Sequence, residues 1–134
     1  MPQIAHTASE MISGMSPELR KGSFVFASVD DDLAASLMPQ ALSVFREAEG
    51  LSLLLPVNAA KAAGLAIDQP MRCITLNVYS SLEGVGLTAA VATALASHGI
   101  ACNMIAACHH DHAFVPEAQS GSAMQVLLSL QETG

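Results

Sequence analysis

The sequence predicts an α+β protein of the ferredoxin-like βαββαβ kind, duplicated in tandem, with antiparallel sheets and helices on one face. Three observations predict it. About half of the 134 residues are hydrophobic, yet tryptophan is absent and only 4% are aromatic, so a core can be buried and must be aliphatic. Residues 72–130 read strand–helix–strand–strand–helix, the split β-α-β order less its last strand. Residues 23–63 offer a cruder version of that order with a shortened first helix. The pattern divides the chain into units 1–66 and 67–134, with one half lending a strand to the other.

The elements follow from local signals. Residues 1–22 are loosely patterned, and Ser16-Pro17-Glu18 predicts one helical turn with proline at its first position. Ser23 to Val29 reads as a strand with Phe24 and Phe26 on one face. Asp30-Asp31-Asp32 closes it and caps a short helix through Met38, since a helix N-terminus favours acidic side chains. A calcium loop would need more widely spaced oxygen ligands. Residues 41–48 and 51–55 form two strands around Glu49-Gly50, and Asn58 to Ala63 a short helix ended by Gly64.

The second half is clearer. From Arg72 to Tyr79, Ile74, Leu76 and Val78 alternate with Cys73, Thr75, Asn77 and Tyr79, as in a strand with one buried face. Gly86 to His98 is a helix with an apolar stripe of Leu87, Val91, Ala94 and Leu95. Ile100 to Cys108 and Asp111 to Val115 are strands joined near His109-His110. Ala118 to Leu130 is the last helix, with Ala123, Val126, Leu127 and Leu130 inward. Ile100 to Cys108 lies at a sheet edge in this topology and is apolar on both faces, so it needs covering by the other half or a second chain.

Charge and cysteine usage exclude several functions. The net charge is −7, and Arg20, Lys21, Arg46, Lys61 and Arg72 do not cluster, which argues against nucleic acid and anionic membranes as partners. Cys73, Cys102 and Cys108 make an odd count without Cys-x-x-Cys, as expected of reduced thiols with no structural zinc. No basic n-region precedes an apolar h-region, so a cytoplasmic location is expected. The uncharged run Gly84 to Cys108 is long enough to span a bilayer, but His98-Gly99 stops the helix within it.

The candidate site is Ser80-Ser81-Leu82-Glu83-Gly84-Val85-Gly86-Leu87-Thr88, which joins a strand end to a helix start. Its glycines permit tight backbone and close approach of a ligand. The N–H groups of Val85, Gly86 and Leu87 suit an anion such as an α-carboxylate. Glu83 and Asp111 supply negative charge for an α-ammonium, and Asn103 or Ser81 could orient the same ligand. Together Ser81, Glu83, Gly84, Val85, Gly86, Asn103 and Asp111 suit a free amino acid. The competing structural reading is that the glycines only shape a tight connection.

These residues also resemble a known family. Ile74-Thr75-Leu76-Asn77-Val78 with Ser80 to Ala90 is similar to the first strand, ligand loop and first helix of an ACT domain, and Gly99 to Ile105 to its second strand. His110-Asp111-His112-Ala113-Phe114-Val115-Pro116 and Glu47 to Leu53 resemble a subgroup of tandem ACT-like proteins. The likeness covers most of residues 15–131, and its pattern is more specific in the second half. Such proteins resemble the regulatory domains of aspartate kinases and, more distantly, a eukaryotic cytosolic arginine sensor. The resemblance implies amino-acid binding at a β-α loop, usually at an interface between ACT units, and usually a homodimer; no cofactor and no catalytic residue is expected. The expected role is regulation, not catalysis, with no catalytic domain attached.

Other readings compete. Gly84-x-Gly86-x-x-Ala89 fits a dinucleotide fingerprint, but Glu83 would repel a pyrophosphate and 23 residues after Asp111 are too few for a doubly wound sheet. His110, His112 and Cys108 share one side of a strand and could begin a metal site; a polar hairpin turn explains them with less. An interaction module with a vestigial ligand site is the main alternative, and a metal- or nucleotide-dependent enzyme the lesser one.

Overall fold

The computed structural model describes residues 4–133. In chain order the elements are α1 (Ala8–Ser13), β1 (Pro17–Leu19), β2 (Phe24–Val29), α2 (Asp31–Leu37), β3 (Ser43–Glu47), β4 (Gly50–Pro56), α3 (Val57–Ala62), β5 (Met71–Leu76), α4 (Leu87–Ser97), β6 (Asn103–Ala106), β7 (Asp111–Pro116) and α5 (Ser120–Thr133). No helix among the described residues is long and apolar enough to cross a membrane.

Packing separates two compact units, and they do not follow chain order. One is residues 22–71; the other joins residues 1–21 to residues 72–134. In the unit of residues 22–71, β4 lies between β3 and β2 and is antiparallel to both. Met71 adds a last pair, to Phe24. Alternation sends Val25, Val29, Leu51, Leu53 and Leu55 to one face, where Ala34 and Leu37 of α2 and Ala60 of α3 bury them. Asp30 caps α2 by accepting the Leu33 N–H at 2.9 Å, the role the acidic run was expected to play.

In the other unit the strand order is β1-β5-β7-β6. This is the ferredoxin-like order, and β1 supplies the strand that the second half lacks. β1 runs antiparallel to β5, with Pro17 opposite Leu76 and Leu19 opposite Ile74. Ser16-Pro17-Glu18 is therefore not the helical turn its proline suggested. Pro17 lies at a sheet edge, where a missing N–H costs nothing, and Leu19 packs on the core. β6 and β7 form a hairpin, with Asn103 opposite Phe114 and Ala106 opposite Asp111.

All three helices of this unit cover one face of its sheet. Ile74 and Leu76 of β5 and Ala113 and Val115 of β7 meet Leu87, Val91 and Leu95 of α4 and Ala123 and Leu127 of α5. Met11 and Met15 complete the cluster, at 1% and 0% exposure. α1 is the element that sequence reading missed. Thr7 Oγ1 accepts the Glu10 N–H at 3.1 Å, and Glu10 Oε1 accepts the Thr7 N–H at 3.1 Å, a reciprocal capping box.

Candidate functional site

The loop from β5 to α4 is held from within and from the chain's first residues. Ser81 carbonyl accepts the Gly84 N–H at 3.0 Å, and Ser81 Oγ accepts the Glu83 N–H at 3.2 Å. Ala5 pairs in parallel with Ser80: its N–H donates to the Tyr79 carbonyl at 2.7 Å and its carbonyl accepts from Ser81 at 3.0 Å. Gly86 is the N-cap of α4 and has no side chain with which to cap it. The N–H groups of Val85, Gly86 and Leu87 have no protein acceptor among the described residues. They form an uncapped helix start, where the helix dipole adds positive potential.

A cavity of about 140 Å³ opens at this point. Of the candidate residues, Ser81, Gly84, Gly86 and Asp111 line it. Ser80, Leu82, Leu87 and Thr88 of the candidate segment line it too, and sequence reading missed Met11 and Ala106. The Asp111 carboxylate is half-buried and accepts from Ser80 Oγ at 3.4 Å. Backbone donors and a carboxylate thus share one small space. Glu83 and Val85 belong to the loop but not to the lining, and both are exposed. Asn103 begins β6, three residues from Ala106 and hence on the other face of the strand. A larger groove of about 610 Å³ lies between α4 and α5, but no acidic side chain there could hold an ammonium.

The two loop glycines are closely approached, and the approaching atoms are the chain's own. A Cβ on Gly84 would stand 3.1 Å from Sδ and Cε of Met11. Gly86 has φ of +117°, and a Cβ there would stand 2.8 Å from Cβ of Ala8. Thus α1 occupies the space that the glycines were expected to leave for a ligand.

The sheet face turned away from the helices carries a second polar cluster. Thr75, at 3% exposure, lies with its Oγ1 3.0 Å from His112 Nδ1 and receives Arg20 Nη1 at 3.2 Å. Tyr79 and His110 pack ring to ring at 4.8 Å. Among the described residues no three His, Cys, Asp or Glu side chains converge as a metal would need. Burial lowers the His112 pKa from its ordinary value, His110 and Arg20 lower it further, and Asp111 opposes them.

A pH effect follows from His112. Below its ordinary pKa the unfolded chain binds a proton that folded His112 resists, so its contribution to stability is complete above about pH 6.5 and lost as pH falls. The expected result is a wild-type melting temperature that drops between pH 7.5 and pH 5.5, and a smaller drop in His112→Asn. An equal drop in both proteins would remove His112 as the cause.

Two models of the ACT domain match the sequence in tandem, over residues 7–72 and 69–129. No protein of curated description matches it. Among solved structures, a Vibrio cholerae protein of unknown function, described as a possible transport protein, is 46% identical. That match covers 90% of this chain and 92% of that one, with a TM-score of 0.79. The regulatory subunit of aspartate kinase from Thermus flavus is 10% identical over 85% of this chain and 95% of its own, with a TM-score of 0.53. A putative C-terminal regulatory domain of aspartate kinase from Porphyromonas gingivalis is 14% identical over 87% and 96%, with a TM-score of 0.54. The last two show a likeness of fold alone.

Proposed function

The chain belongs to the ACT-domain family, and from that premise we propose that it is a regulatory protein that binds a small molecule, a free amino acid, and catalyses nothing itself. The observation that carries the reading is the pairing of uncapped N–H groups at the start of α4 with the Asp111 carboxylate around one cavity. Gly86 and Leu87, but not Val85, which stands outside the lining, would donate to the α-carboxylate. Ser81 Oγ would help to orient it. Asp111 would take the α-ammonium in preference to Glu83, which stands exposed. The Gly84 N–H already donates to Ser81, so Gly84 would shape the wall without binding.

Thermal unfolding against the twenty amino acids tests this. At about 100 times Kd a ligand adds about 2.7 kcal/mol, or about 7–12 °C in Tm for a chain of this size. Asp111→Asn should remove most of the shift for the amino acid that produces it. If none of the twenty raises Tm, the amino-acid reading fails.

The homodimer belongs to the same proposal. β3 is an edge strand of its sheet, with Phe45 at 72% and Val44 at 43% exposure, and a second chain is one way to cover it. Sedimentation equilibrium at the monomer mass of 13.8 kDa would speak against a dimer. An interaction module without ligand is the second reading, favoured by the same exposed strand and by the account that α1 already gives of the two glycines.

A further inference from the structure

We propose that residues 5–11 complete the ligand site from the chain's own first helix. In this arrangement Met11 limits the site to amino acids with small side chains, and residues 5–8 are the gate that lifts to admit them. The ligand class rests on the amino-acid reading above; the wall and the gate rest on contacts of their own.

Met11 lines the cavity and is 1% exposed, so it is a fixed wall. Its thioether end lies against Gly84. The space of about 140 Å³ is well below the roughly 300 Å³ at which drug-sized pockets begin. Glycine, alanine or serine suits that space; leucine or phenylalanine needs Met11 out of the way.

The gate follows from how unevenly this stretch is fastened. From Met11 onward it is anchored: Met11 and Met15 are in the core, and the Ser13 carbonyl accepts from Gln131 Nε2 at 3.1 Å. Ahead of Met11 the hold is lighter. Ala5 makes two backbone hydrogen bonds to the loop and packs on the margin of the core, Ala8 rests on Gly86, and Thr7 is exposed and tied only within α1, by its capping box with Glu10 and by the Met11 N–H. A six-residue helix adds little stability of its own. Such a segment opens locally at far lower cost than the sheet beneath it. Its two backbone bonds end on Tyr79 and Ser81, so lifting it releases the loop that lines the cavity.

The test is calorimetric titration of the full chain with glycine, L-alanine, L-leucine and L-phenylalanine, beside Met11→Ala, Met11→Val and Met11→Leu. The wild type should prefer glycine or alanine over leucine by at least about tenfold, and Met11→Val or Met11→Ala should narrow that ratio by about tenfold. Met11→Leu keeps the volume and should keep the ratio; it and Met11→Val serve if Met11→Ala does not fold. Wild-type binding of leucine as tight as alanine, or an unchanged ratio in Met11→Val, overturns the wall and leaves the amino-acid reading standing. Binding of none of the four by any variant overturns the size limit, while the amino-acid reading itself stands or falls on the thermal screen of all twenty. Hydrogen exchange decides the gate in every case. The Ala5 and Ser81 amides should exchange at least about tenfold faster than those of β5 and β7. Exchange in step with those strands overturns the gate.

Discussion

Residues 67–134 produced alone will not fold to a stable monomer, and fusing residues 4–21 behind them will restore folding. The isolated half lacks β1 and α1, which pack with it despite their distance in sequence. Without β1, β5 loses a partner along Pro17 to Leu19, and the Arg20 N–H bond to the Cys73 carbonyl goes with it. Without α1 and its exit, Met11 and Met15 leave the core, and the packing of Ile12 and Leu19 is lost. Burial of each such methionine is worth about 1.5–3 kcal/mol. Two of them therefore approach the total stability of a small domain, about 5–15 kcal/mol, before the lost strand is counted.

The fused order is feasible because the pieces already meet: Gln131 of α5 bonds to the Ser13 carbonyl. A Gly/Ser linker of about ten residues, spanning roughly 16–19 Å, would join Thr133 to residue 4. The measurements are circular dichroism and urea unfolding. The isolated half should lack a cooperative transition and the permuted chain should have one. A cooperative transition in residues 67–134 alone would show that β1 and α1 are accessories.

What the sequence could reveal was set by how local each signal is. Arg72 to Tyr79 was readable because one strand face is buried: Ile74, Leu76 and Val78 are all under 10% exposed. Leu87, Val91 and Leu95 were readable for the same reason at helical spacing. α1 was not, because six residues with only Met11 buried make no periodic stripe. Its signal was Thr7-Ala8-Ser9-Glu10, a capping box just ahead of Met11 and Ile12. At the loop, Gly84 and Gly86 correctly announced close approach. Nothing within a few residues could identify what approaches, because Ala8 and Met11 lie more than seventy residues away in sequence. Asp111 reaches the cavity through the β6–β7 register, with Ala106 opposite it. The same register sets Asn103 apart, an outcome that depends on where β6 starts.

Gly86→Ala will destabilise the chain by about 2–5 kcal/mol, and Gly86→Val by at least as much. At φ of +117° any Cβ is strained, at a cost of about 1–3 kcal/mol. The added carbon would also stand 2.8 Å from Cβ of Ala8, an overpacking that costs a further 1–3 kcal/mol or so. Valine's branch must then find room between α1 and the start of α4. The two costs can be separated by a double-mutant cycle with Ala8→Gly in urea unfolding. Ala8→Gly relieves the contact but not the backbone strain, so the pair Gly86→Ala and Ala8→Gly should be more stable than the sum of its parts, by about 1 kcal/mol. Strict additivity would mean that Ala8 does not rest on Gly86. This bears on how binding data are read: loss of amino-acid binding in Gly86→Val alone could come from displaced α1 as readily as from a blocked carboxylate. Binding measured across the cycle resolves it. If Ala8→Gly restores affinity together with stability, Gly86 acts through the helix above it; if stability returns without affinity, its backbone meets the ligand.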